Sequence, residues 1–79
     1  MSGKDIRAKR VSAGLTAVLV CTKARINRSR FSDIERGHIA ARDEELRRID
    51  SAIAEIISTR RKLTELAQEA GLSLAGVHL

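Results

Sequence analysis

Seventy-nine residues make at most one domain, and a chain of this length buries only roughly 60% of the surface that its unfolded form exposes. Phe31 is the only aromatic residue and there is no proline, so a thin aliphatic core in an all-α domain is expected rather than a β-sandwich or barrel. A single cysteine forms no intramolecular disulfide, which leaves a homodimer as the expected reinforcement of so small a core.

The sequence has no run of about 18 apolar residues, and its opening MSGKDIRAKR lacks the apolar stretch of a secretory signal. A soluble, cytoplasmic protein with no membrane partner is expected. The formal charge is +5, unevenly spread: residues 1 to 42 hold ten lysines and arginines against three carboxylates, and residues 43 to 79 hold five against seven. A basic segment with almost no aromatics suits the phosphates of a duplex better than single-stranded nucleic acid, whose binders stack bases on aromatic rings. An ordinary solvated basic surface would carry the same charge.

In chain order, Ser2 to Asp5 resembles a capping box, and Ile6, Lys9, Arg10 and Ala13 follow at helical spacing up to Gly14. The first helix is expected over about 3 to 13. Thr16 is an N-cap candidate for a second helix, AVLVCTKA, with Val20, Cys21 and Ala24 on its inner face and Arg25 after them. Asn27 is the N-cap candidate of a third, RSRFSDIER, with Phe31 and Ile34 on one stripe and Gly37 as its stop.

After the loop HIAA, the acidic turn Asp43, Glu44, Glu45 suits a helix start. Apolar residues then recur at 46, 49, 53 and 56, skip to 63, and continue at 67 and 70, with Arg60 where the next one should fall. That interruption marks either a bend, giving two helices or one bent helix, or a register-setting residue in a pairing seam. Ile53, Ile56, Ile57, Leu63 and Leu66 are the expected dimerisation residues, and residues 58 to 79, ending in the apolar tail LSLAGVHL, the dimerisation element.

The GLT that opens the second helix and the IERG that closes the third resemble the lambda-repressor and Cro (Xre-like) helix-turn-helix family of bacterial and phage regulators. The resemblance covers roughly residues 5 to 53 and rests on Arg10, Gly14, Leu15, Thr16, Val20, Cys21, Ala24, Ile26, Ser29, Phe31, Ile34, Glu35, Arg36 and Gly37. It implies a helix-turn-helix bundle of four to five helices, with a DNA-binding domain over residues 1 to 57. It also implies that Arg28, Ser29 and Asp33 stand where the family reads bases.

The helical spacing puts Ser32 on the same outward face, opposite Phe31 and Ile34. An arginine takes a guanine edge bidentately and an aspartate accepts from a cytosine amino group. Asp33 could instead pair with Arg30 or Arg36. The family also pairs an arginine of the first helix with the glutamate of its IERG-like end, here Arg10 and Glu35. Arg10, Asn27, Arg30, Arg36, Arg42, Lys4 and Lys23 are phosphate candidates.

Two departures from the family stand out: Ala17 replaces the glutamine that touches the backbone at the start of the second helix, and Arg25 replaces the glycine of the turn. Val18 and Leu19 are apolar where the family is polar, so they are either a protein-partner surface or covered by the tail. His38 and His78 stand alone in sequence and Cys21 is expected to be buried, so the chain offers no catalytic or metal-ligand spacing and no cofactor is expected. The expected function is that of a sequence-specific, homodimeric repressor. The rivals are an antitoxin-like or phage regulatory protein that masks a partner, and an adaptor that keeps the fold without reading DNA.

Overall fold

The computed structural model of the chain describes residues 2 to 71, and over them the protein is all-helical. Four helices follow in order: α1 (Gly3–Ser12), α2 (Ala17–Ala24), α3 (Arg28–Arg36) and α4 (Asp43–Glu69). Each start has a local cause. The Ser2 hydroxyl accepts from the Asp5 N–H and the Asp5 carboxylate accepts from the Ser2 N–H, closing the capping box of α1. Thr16 accepts from the Leu19 N–H, and the Asn27 side-chain oxygen accepts from the N–H groups of Ser29 and Arg30.

Two of the helix ends are left-handed. Gly37 stops α3 at φ 79°, where a glycine adopts the conformation without a Cβ penalty. Arg25 stops α2 at φ 58° and ψ 46°, a left-handed position that costs a residue other than glycine about 1 kcal/mol.

The core lies between α1, α2, α3 and the first half of α4. Ile6, Val20, Phe31, Ile34, Ile49 and Ile53 are fully buried, with Cys21 beside them as its helical position requires. α1 packs on α3, and α2 packs on both α3 and α4. Gly3 permits the first of these contacts, because a Cβ built there would lie 1.8 Å from the backbone oxygen of Ile34.

α4 is one unbroken helix of 27 residues, about 40 Å long, which is one of the courses that the interrupted apolar pattern left open, and it continues through residues 57 and 58. Arg60 does not break the helix: its Nη1 donates to the Ala13 carbonyl at 2.9 Å and ties α4 to the end of α1. Ile53 is not available to a partner, since it is 1% exposed in the protomer's own core, and Ile56 and Ile57 pack against that core. Leu63 is half-buried and Leu66 exposed. The tail LSLAGVHL and His78 lie outside the described residues.

Candidate nucleic-acid interface

α3 divides cleanly into two sides. Phe31 and Ile34 are sealed in the core, while Arg28, Ser29, Ser32, Asp33 and Arg36 line one open groove on the opposite side. The four residues expected to read bases are thus brought together, with Arg36 at their edge. Arg36 also borders the neighbouring groove between α1 and α3, with Lys4, Arg7, Val11 and Glu35, so Lys4 lies beside the same surface. Lys23 does not: it lies between α2 and α4 and pairs with Glu55 at 3.1 Å.

Asp33 has a partner that the helical spacing did not suggest. Its carboxylate lies 3.6 Å from Nδ1 of His38, which follows α3, rather than against Arg30 or Arg36. The left-handed turn at Gly37 brings the chain back, and the His38 N–H donates to the Asp33 carbonyl at 2.9 Å. Residues five apart in sequence meet across a reversal that periodicity does not describe.

Arg10 and Glu35 form the expected pair. Nε of Arg10 donates to Oε2 of Glu35 at 2.8 Å and Nη2 donates to Oε1 at 3.1 Å, while Nη1 donates to the Leu15 carbonyl at 2.9 Å. The two side chains are 14% and 8% exposed, so all three guanidinium nitrogens hold α1, α3 and the entry to α2 together. This commitment fits a structural pair better than a phosphate contact.

Arg30 is similarly engaged, against expectation. Its Nε and Nη2 donate to the two oxygens of Glu45 at 2.6 and 2.7 Å. Glu45 is the third residue of α4, and its Oε1 also accepts from the Arg42 N–H at 2.9 Å, closing the helix start from within. The Arg30 guanidinium, and after it the Arg42 N–H, hold this carboxyl well below its ordinary value of 4.5, at about 2. The residue was legible as a first-turn acid; its partner on α3 was not.

Arg28, Arg36 and Arg42 are exposed and have no ion-pair partner among the described residues, so they remain free to meet an anion. Asn27 spends its side-chain oxygen on the cap, which leaves only its amide N–H groups outward. Val18 is exposed, whereas Leu19 packs against the core, so the expected apolar patch on α2 shrinks to one residue.

Among the described residues no cluster of His, Cys, Asp and Glu could hold a metal ion, and no helix is long and apolar enough to cross a membrane. No family model, curated protein or solved structure matches the chain.

Proposed function

We propose that the chain is a sequence-specific, double-stranded DNA-binding regulator of the lambda-repressor and Cro type, acting in the cytoplasm as a homodimeric repressor. α2, the three-residue connection and α3 form its helix-turn-helix, and α3 enters the major groove. One observation carries the reading: Arg28, Ser29, Ser32, Asp33 and Arg36 share a groove on the face of α3 directly behind which Phe31 and Ile34 are locked in the core. A rigid helix that presents donors and acceptors on one side and is pinned on the other is what reading base edges requires.

The phosphate grip falls to Arg36 and Lys4, which line the grooves at and beside that face, and to Arg42, exposed at the N-cap of α4. Such contacts hold the register while the base edges supply the discrimination. The test is a mobility shift on genomic fragments over a range of salt, followed by selection of the preferred site. Binding that is steeply salt-dependent and resists random competitor supports the reading; no retardation of any fragment at low salt overturns it.

A second reading, masking of a partner protein as in an antitoxin, draws on the exposure of Val18 and Val11, at 45% and 59%. These are single residues on different helices, α1 and α2, whereas the polar side chains of α3 share one groove. DNA reading therefore has the stronger support.

A further inference from the structure

A second basic surface lies on the flank of the molecule, between the end of α2 and the first half of α4. Lys23, Arg25, Arg47 and Arg48 line one groove there, against a single carboxylate, Glu55. All four cations are exposed. The two that have partners are loosely held: Lys23 and Glu55 are 52% and 63% exposed, and Arg48 is 3.9 Å from Glu44. Exposed pairs of this kind exchange readily for another anion. Arg25 and Arg47 have no ion-pair partner among the described residues.

Arg25 supplies an independent observation. It occupies a left-handed position, φ 58°, where glycine is favoured, so a cation lines this groove at a point where the backbone alone would select glycine. The outlier stands three residues before Arg28, so the flank begins where the outward face of α3 begins.

We propose that this groove binds the phosphodiester backbone of duplex DNA beyond the bases that α3 reads. The inference rests on the DNA-binding reading above and adds a second grip to it. The chemistry of the groove favours a polyanion over a protein. Its floor is Ala24, Ser51 and Ala52, small residues that let a phosphate approach the guanidinium groups. The large exposed hydrophobics Val11, Val18 and Leu66 all lie elsewhere. A protein interface would need an aromatic or aliphatic anchor here, and the groove has none.

The test measures association with a random-sequence duplex of roughly 30 base pairs, about three helical turns, as a function of salt. Replacing Arg25 by Gly and Arg47 by Gln together should lower the slope of log affinity against log salt by about two units, close to 0.9 for each phosphate that is no longer neutralised. Arg25→Gly relieves the backbone at that position, so the melting temperature of the variant should not fall, and weaker binding then reflects the groove and not the fold.

Arg61→Gln with Lys62→Gln removes the same charge from the exposed far half of α4 and should leave the slope unchanged. An unchanged slope for the groove variant, or an equal fall for the two double variants, overturns the proposal while leaving the reading by α3 intact. No binding of the duplex by the wild-type protein at low salt would remove both.

Discussion

Glu45 in the first turn of α4 accepts two hydrogen bonds from Arg30 of α3, at 2.6 and 2.7 Å, fifteen residues back along the chain. The same carboxylate caps its own helix through the Arg42 N–H. One buried side chain therefore fixes both the start of α4 and its placement against the helix that carries the candidate reading face. Because the Arg30 guanidinium pulls the Glu45 carboxyl down from 4.5 to about 2, the folded state holds its proton less tightly than the unfolded chain does. The stability this contributes is fully present above the ordinary carboxylate value and is lost as pH falls from there towards 2. Glu45→Gln should lower the melting temperature by several degrees at neutral pH, and the gap to wild type should narrow below about pH 4.5 and close only near pH 2; a gap independent of pH would show that the charge is not what matters.

The Arg10 and Glu35 pair makes a sharper demand on the fold, because both side chains are nearly buried. Glu35→Ala leaves a guanidinium with only the Leu15 carbonyl as its partner, at a cost of about 3 kcal/mol. Chemical denaturation should show a lower midpoint with an unchanged slope. A loss below about 0.5 kcal/mol would mark the pair as no more than a surface contact.

Much of this architecture was legible, and the reasons are local. Thr16, Asn27 and Gly37 announced the limits of α2 and α3 because a cap bonds within three residues of itself. The outward face of α3 followed from Phe31 and Ile34, since helical spacing fixes what stands opposite a buried stripe. Arg60 shows where such reasoning ends. It broke the apolar pattern and could be recognised as an interruption, but its partner is a backbone carbonyl 47 residues away, and no sequence feature marks Ala13 as an acceptor. Arg30 with Glu45, and Asp33 with His38, were missed for the same reason, because the partner depends on how the chain turns between two helices. Ile53 was misassigned because a stripe on an amphipathic helix does not say whose surface covers it.

Gly3 provides a test of the α1 to α3 contact in which two effects oppose each other. In an open helix, glycine to alanine stabilises by about 0.5 to 1 kcal/mol. Here the added Cβ would meet the Ile34 backbone oxygen at 1.8 Å, and neither partner is a side chain that can rotate away. Backbone displacement of this kind costs about 1 to 3 kcal/mol, so the clash should win and Gly3→Ala should lower the melting temperature. A melting temperature above wild type would mean that α1 starts further from α3.

Of the five residues expected to pair two protomers, Ile53 is sealed in the core and Ile56 and Ile57 pack against it, while Leu63 is half-buried and Leu66 is 60% exposed beyond it. The dimer proposal therefore concentrates on the far half of α4. Leu66→Lys should convert the sedimenting species from dimer to monomer without the damage to the core that a truncation would cause. A variant that still sediments as a dimer would move the interface away from this part of the helix.

The division of labour around α3 leads to a contrast between two arginines that both lack ion-pair partners among the described residues. Arg28 lines the groove with Ser29, Ser32 and Asp33 at the first position of the helix, where its guanidinium has room to take a base edge in two parallel bonds. Arg42 stands outside that groove at the N-cap of α4, exposed and anchored by its backbone N–H to Glu45, which suits a contact to phosphate. Arg28→Ala should therefore cost roughly 1 to 3 kcal/mol on the selected site and blur the preference at one base pair, with little change on random duplex. Arg42→Ala should weaken both alike and reduce the salt slope by about one unit. Competition titrations with selected and random duplexes measure both. Equal losses on the two duplexes for Arg28→Ala would remove it from base recognition and leave α3 without its strongest candidate reader.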